Sequence, residues 1–319
     1  MVGYRHFRNS DPPHVLRIWN ESGLGRGAAQ KLTCDEFDGL IIAQTYFDPL
    51  GLILATTDDQ KVVGFVHAGF AADDTKAHLS KKVGVICAVI VDPAHRRQGI
   101  GRELIHRAED YLRQAGAETI FAGGADPRDP FYCGIYGGSE PAGFLESDTA
   151  AAPFFQAMQY TAVERHLVFH RSLGPGGPEV MCVRLLNAKR QSRLAAANSC
   201  EPKDWWWSTR HGRLDSMYLG LVPKAGGSLM AKVCVVGLDL YTSGWQTRAI
   251  GILGLQVSEL QRRKGYGQLL LDEVCRRVRD DLIQLAEAHV LETDAAGIAV
   301  LKSAGFHQVD AGVVYHKPQ

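Results

Sequence analysis

No run of apolar residues in this chain approaches the roughly 18 that cross a bilayer, and its first residues, MVGYRHFRNSDPP, lack the apolar core of a secretory signal. A cytoplasmic protein with no membrane partner is expected. Net charge is missing too, because lysine plus arginine and aspartate plus glutamate each number 35. No overall field then recommends nucleic acid as a partner, although a local anion site remains open. The seven cysteines, Cys34, Cys87, Cys133, Cys182, Cys200, Cys234 and Cys275, are odd in number, scattered and never spaced C-x-x-C. That pattern argues against a disulfide framework or a zinc knuckle, so no metal is expected and most thiols should be reduced and half-buried. What is present is ordinary for a globular chain: 319 residues, 45% hydrophobic and 22% charged. Two domains of roughly 100 to 200 residues fit that length.

Turn signals divide the chain. Residues 4–7 alternate as a short strand, and Asp11-Pro12-Pro13 opens a helix through Val15, Leu16, Ile18 and Trp19. Thr33, with Glu36 three residues on, predicts a second helix start. Residues 51–56 and 61–70 read as a hairpin and 83–91 as the next strand. Leu104, Ile105, Ala108, Leu112 and Ala115 then repeat at helical spacing up to Gly116. After a strand at 118–122, proline and glycine crowd residues 126–143 into an irregular loop. Asp148 can cap a helix through Phe154, Phe155 and Met158, and 162–170 is a strand. SLGPGGP, residues 172–178, is the clearest linker, which sets an N-terminal domain at 1–171 and a C-terminal domain at 179–319.

Beyond the linker the order returns: a strand at 180–186, a helix around 188–197, and strands near 214–222, 228–241 and 247–257. A helix from Gly267 towards Ala288 precedes a strand, a helix and a last strand. The hexapeptide Arg96, Arg97, Gln98, Gly99, Ile100, Gly101 aligns with Arg262, Arg263, Lys264, Gly265, Tyr266, Gly267 at the matching place. This is an internal repeat, and the chain reads as a tandem duplication.

In each copy an apolar strand feeds a basic, glycine-bearing turn that becomes the first turn of an amphipathic helix. Backbone N–H groups stand unpaired at the positive end of that helix and glycine admits close approach, so a phosphate or pyrophosphate fits there. No Lys-Ser/Thr follows a G-x-x-x-x-G, which excludes a Walker loop, and the third glycine of the dinucleotide fingerprint is absent.

V-x-V-x-P-x-x-R-x-x-G-x-G followed by a helix resembles the acetyl-CoA-binding motif of the GNAT superfamily of N-acetyltransferases. The first copy matches at Val89, Val91, Pro93, Arg96, Gly99 and Gly101; the second matches at Leu255, Val257, Arg262, Gly265 and Gly267, with Glu259 in place of proline. With its flanking elements the resemblance covers nearly the whole chain. It implies a tandem α/β protein of the acyl-CoA N-acyltransferase fold, in which each mixed sheet splays between its fourth and fifth strands to admit the pantetheine arm of coenzyme A. The same resemblance implies that the backbones of Val89, Ile90 and Val91, and of Leu255, Gln256 and Val257, pair with the pantetheine amides. The turns running to Arg102 and to Gln268 would hold the pyrophosphate, and a strand-end N–H would polarise the thioester carbonyl.

The family's usual acid is a tyrosine four residues before a Gly-Phe pair. Leu301 stands there before Gly305-Phe306, and Phe155 stands there before Gln159-Tyr160. Neither donates a proton, yet a thiol of pKa about 8.5 leaves as thiolate at pH 7 at a cost of only about 2 kcal/mol. The long first-copy loop offers replacements: Tyr136 or Tyr132 as acid, and Glu140 as base, directly or through water, between glycines that permit close approach. A loop whose tyrosines only pack is the competing reading. His67 reads as a sheet-face histidine and Cys87 as a small hydrophobe. Trp205, Trp206 and Trp207 either line an acceptor pocket or pack.

The expected activity is transfer of acetyl from acetyl-CoA to a small-molecule amine or an exposed protein amine, by direct attack in a ternary complex. The arrangement is similar to tandem members of the family in which one copy carries transfer and the other is degenerate, with the first copy favoured here. An acyl-CoA-binding module or sensor that has lost its chemistry is the alternative. The acceptor's identity and the oligomeric state are not legible, because acceptor pockets are built from loops.

Overall fold

In the computed structural model of the protein, residues 2–174, 182–196 and 204–318 are described. The first half runs β1 (Val2–His6), α1 (Pro12–Glu21), α2 (Cys34–Phe37), β2 (Leu52–Thr57), β3 (Val62–Ala72), β4 (Leu79–Val91), α3 (Ile100–Gln114), β5 (Thr119–Ala122), β6 (Phe144–Leu145), α4 (Ala151–Ala157) and β7 (Thr161–Ser172). The second half runs α5 (Val183–Gln191), β8 (Ser192–Ala196), α6 (Trp205–His211), β9 (Ser216–Pro223), β10 (Ala231–Gly237), α7 (Thr242–Trp245), β11 (Ala249–Val257), α8 (Tyr266–Asp280), β12 (Leu285–Leu291), α9 (Ala295–Ser303) and β13 (His307–Lys317). The fold is mixed α/β, with one parallel strand pair in each copy among antiparallel neighbours.

Two compact units form, and their membership does not follow chain order. Unit 1 is Met1–Arg165 with Asp204–Arg213 and Gly312–Gln319; unit 2 is His166–Lys203 with Leu214–Ala311. In unit 1, β1, β2, β3 and β4 pair antiparallel in that order, β5 joins β4 in parallel, and the end of β13 pairs antiparallel with β5 at Tyr315↔Ala122. In unit 2, β8, β9, β10 and β11 pair antiparallel, β12 joins β11 in parallel, and the end of β7 pairs antiparallel with β12 at His170↔Glu287. The strand beyond the parallel pair therefore comes, in each unit, from the other copy's sequence. Unit 1 also takes in α6, which the second half of the chain encodes.

Each core is what the spacing dictates. On α3 the buried residues Ile100, Leu104, Ile105, Ala108 and Leu112 recur on one face, over Val66, Ala68 and Ile86 of the sheet. On α8, Leu270, Val274 and Val278 do the same over Val233, Val235, Ile250 and Ile252. Thr33 and Glu36 form the expected reciprocal cap of α2.

Three expectations are corrected. Residues 183–186 are helical, not the end of a strand, because they open α5, on which Leu185 and Ala188 bury at helical spacing; 192–196 is a strand, not the end of the expected helix, held in register by β9. The helix expected to run towards Ala288 stops at Asp280, and β12 takes over at Leu285 after a left-handed turn at Leu282. Apolar spacing alone does not separate these choices over short runs. Much of the expected linker at 172–178, the start of the strand expected at 180–186, and Cys200 lie outside the described residues. Among the described residues, no helix is long and apolar enough to cross a membrane.

Candidate active site

The site of unit 1 begins where two strands part. β4 and β5 pair from Val83↔Thr119 to Ile86↔Ala122, closed off by the Gly123 N–H donating to the Ile86 carbonyl at 2.9 Å. At that point the β3 register slips between His67 and Ala68, so that Cys87 is an extra residue on β4. A bulge of this kind bends its strand and ends pairing on one side. Cys87 to Val91 continue along β3 alone. The Asp92 N–H donates to Val63 on the β3 side, at 2.9 Å, so the backbone groups of Val91 and Val89 point the other way, into the gap.

Unit 2 repeats this. β11 and β12 pair from Ala249↔Leu285 to Ile252↔Ala288, the β10 register slips between Lys232 and Cys234, and the Ser258 N–H donates to Met230 at 2.9 Å. Leu255 and Val257 thereby take the places of Val89 and Val91.

Below each open edge sits the glycine turn. Arg97 (φ 62°) and Gly99 (φ 84°) are left-handed, and α3 starts at Ile100; Arg263 (φ 63°) and Gly265 (φ 91°) precede α8 in the same way. Pro93 and Glu259 each open an equivalent one-turn 3-10 helix, so the replacement of proline leaves the turn intact. The first N–H groups of each long helix have no partner within the helix and face outward at its positive end. An added Cβ at Gly101 would stand 3.3 Å from the Phe154 ring, and at Gly267 3.1 Å from Val300. Gly101 and Gly267 thus make room for the packing of Phe154 and Val300, while the open strand edge and the outward N–H groups suit a ligand with a pyrophosphate.

The basic residues divide their labour. Arg96 Nε donates to the Val91 carbonyl at 2.9 Å and its Nη2 to Ser22 at 2.8 Å, so its stem ties strand end to turn. Arg97, Gln98 and Arg102 are exposed. In unit 2, Arg262 Nε reaches the Val257 carbonyl at 3.5 Å, while Arg263 and Lys264 are exposed. Tyr266 is buried and donates to Gln191 at 2.9 Å, and Gln268 donates to the Ser303 carbonyl at 2.7 Å. Replacing Gly99 by alanine meets no atom within 4 Å. The left-handed backbone alone should cost about 1 kcal/mol, measurable in urea unfolding.

A small cleft follows the open edge of β4 in unit 1. Its floor is Cys87 to Ile90; Trp19, Leu24, Tyr132, Tyr136 and Phe144 wall it, and Asp148 is its carboxylate. Of the three residues singled out for proton transfer, Tyr132 and Tyr136 line the cleft, whereas Glu140 is half-buried and does not. Tyr136 Oη accepts the Leu145 N–H at 3.1 Å. Tyr132 is buried, lies flat on Trp19 (5.5 Å between rings, 2° between planes), and its hydroxyl meets His67 Nδ1 at 3.2 Å. Burial pushes His67 down to about 3, so it stays neutral, and pushes the Tyr132 phenol well up. Phe155 stacks in the core against Tyr315 and Phe144, and Leu301 is buried in unit 2.

Sequence reasoning missed what holds the cleft's loop. Arg210 of α6, only 4% exposed, ion-pairs with buried Asp129 and with Asp126 at 3.0 Å. Trp206 beside it is fully buried and packs on Tyr46, whose hydroxyl donates to the Pro130 carbonyl at 2.6 Å. Trp206 thus packs, and none of Trp205, Trp206 and Trp207 lines the cleft. Also missed was a buried carboxylate in unit 2, Glu287, which pairs with His170 Nε2 at 3.0 Å and His289 Nε2 at 3.2 Å.

Sheets that open at a bulge above a glycine turn, twice in one chain, define a tandem acyltransferase fold. The acetyltransferase (GNAT) family model matches residues 17–136 and 183–306, and the chain belongs to that family. It is similar to a mycothiol acetyltransferase of Propionibacterium freudenreichii subsp. shermanii, 26% identical over 125 residues, which covers 39% of this chain and 38% of that one. Among solved structures, a GCN5-related N-acetyltransferase from Sphaerobacter thermophilus matches at 15% identity and TM-score 0.63, covering 99% of this chain and 95% of that one. A tandem GNAT protein from the clavulanic acid biosynthesis pathway matches at 18% identity and TM-score 0.66, covering 99% and 98%. These two likenesses concern the fold.

Proposed function

We propose that the protein transfers acetyl from acetyl-CoA to a primary amine in a ternary complex, in the cleft of unit 1. The observation that carries this reading is the cleft's course along the β4 segment from Cys87 to Ile90, past the point where β5 stops pairing. Acetyl-CoA supplies an activated acyl group as its thioester. The Arg96 to Arg102 turn holds the pyrophosphate, the backbone of Val89 and Val91 aligns the pantetheine arm, and a strand-edge N–H polarises the thioester carbonyl. The amine's lone pair forms the new C–N bond as the C–S pair departs on sulfur. The amine's proton passes through water to Glu140, and Tyr136 protonates the thiolate, leaving an amide and free coenzyme A. In unit 2 the matching turn, Arg262 to Gln268, and edge, Leu255 to Val257, give a second place for cofactor.

Calorimetric titration with acetyl-CoA tests the reading: saturable binding is expected, with the stoichiometry counting the copies that bind, and none at millimolar cofactor would end it. Tyr136→Phe should lower kcat about 30-fold, the roughly 2 kcal/mol of an unassisted thiolate. If Tyr132→Phe, Tyr136→Phe and Glu140→Gln all kept wild-type turnover, the proton-transfer roles would be wrong. The burial of Phe155 and Leu301 at the family's acid positions favours a second reading, an acyl-CoA sensor. Tight cofactor binding with no coenzyme A release on any amine would select it.

A further inference from the structure

In unit 2, α5 brings to the Gly265 turn a cation that has no counterpart at Gly99. An added Cβ at Gly265 would stand 3.2 Å from Leu185 Cδ2, 3.3 Å from Arg184 Cγ and 3.5 Å from Arg184 Nε, whereas one at Gly99 would meet nothing within 4 Å. The first turn of α5 therefore lies on the turn that opens α8. Packing keeps it there: Leu185 and Ala188 are buried in one core with Tyr266, whose hydroxyl donates to Gln191 at the far end of α5. Arg184 itself is exposed and has no ion-pair partner among the described residues. Two of the turn's own cations are engaged. Arg262 lies 3.8 Å from Glu259 and reaches the Val257 carbonyl, and Lys264 donates to Gln261 at 3.2 Å. The start of α5 also favours negative charge: the Leu185 N–H, and after it the N–H and guanidinium of Arg184, hold the exposed Cys182 thiol below its ordinary value.

From this placement we infer that Arg184 is a phosphate ligand of unit 2, closing on the pyrophosphate of coenzyme A at the Gly265 turn and making this the tighter of the two cofactor places. The inference rests on the cofactor reading of the two turns. The outward N–H groups of α8 and a guanidinium carried by a second element approach one anion from two sides. A guanidinium offers phosphate oxygens two parallel N–H bonds, and α5 holds its stem on the turn before the ligand arrives, so that little ordering entropy is lost on binding.

Calorimetric titration of the full chain with coenzyme A, and with dephospho-coenzyme A, which keeps the pyrophosphate and lacks the 3′-phosphate, tests this. Wild type is expected to bind in two classes. Arg184→Ala should weaken the tighter class about tenfold and leave the other unchanged, for both ligands alike. Arg184→Lys should recover part of that loss, and Arg184→Glu should deepen it even though a glutamate in the first turn suits the helix. Urea unfolding midpoints equal to wild type would show that the variants lose a ligand contact and not the fold. If Arg184→Ala leaves binding unchanged or tightens it, the inference is overturned while the cofactor reading stands. A loss confined to coenzyme A would move Arg184 to the 3′-phosphate and overturn the pyrophosphate contact. If neither ligand binds wild type at millimolar concentration, the cofactor reading itself fails, and the inference with it.

Discussion

Replacing Arg210 by alanine is expected to destabilise the protein by about 3 to 5 kcal/mol, the usual consequence of removing one partner from a buried ion pair. Burial lifts Asp129 to about 6 even with the guanidinium facing it, and although burial pulls Arg210 down, the charges of Asp129 and Asp126 hold it above its ordinary value. Arginine thus stays charged at every working pH, and without it Asp129 must ionise alone in the interior or take up a proton. The loss should also reach the cleft, because Asp126 and Asp129 belong to the loop that carries Tyr132 and Tyr136. The proposed acetyl transfer should fall with stability in Arg210→Ala. Arg210→Lys should recover only part of both, since an ammonium cannot present the flat fork that spans two carboxylates. Urea unfolding and turnover of the two variants check this; an unfolding midpoint for Arg210→Ala equal to wild type would show that the pair holds nothing.

Acid should weaken unit 2 through Glu287. Burial alone would raise this carboxyl, but hydrogen bonds from His170 and His289, with their charge, bring it to about 2. Its folded value lies below the unfolded one, so the stabilisation is present above about pH 4.5 and is lost as pH falls towards 2. The shift corresponds to about 3 kcal/mol. Glu287→Gln should be less stable at neutral pH and should lose less on acidification from pH 5 to 2, by about that amount. Identical acid limbs for the two proteins would remove Glu287 as a source of acid lability.

The parts of the site that were legible in the sequence are those whose chemistry is local. Gly99 and Gly265 announce left-handed turns because few residues other than glycine hold that backbone readily, and the apolar runs before them announce strands. Both turns and both strand edges stand where the repeat puts them. Tyr132 and Tyr136 were visible as chemistry-bearing residues of a glycine-rich loop, and both reach the cleft. Their hydroxyl partners, His67 and the Leu145 N–H, were not visible, since they come from 65 and 9 residues away. Asp148 was visible only as a helix-start residue, and Trp19 only as part of an apolar helix face. Arg210 carries no local signal at all, because an arginine on a short helix looks solvated until the fold removes its water.

The amino-acid sequence by itself determined the duplication, the class of fold and the two phosphate-suited turns, because each depends on residues that are neighbours in the chain. Only the tertiary structure decided which strand completes each sheet, β13 in unit 1 and β7 in unit 2, and that α6 is built into unit 1. A strand's pairing partner is chosen by register and burial against distant residues, and neither leaves a mark in local spacing.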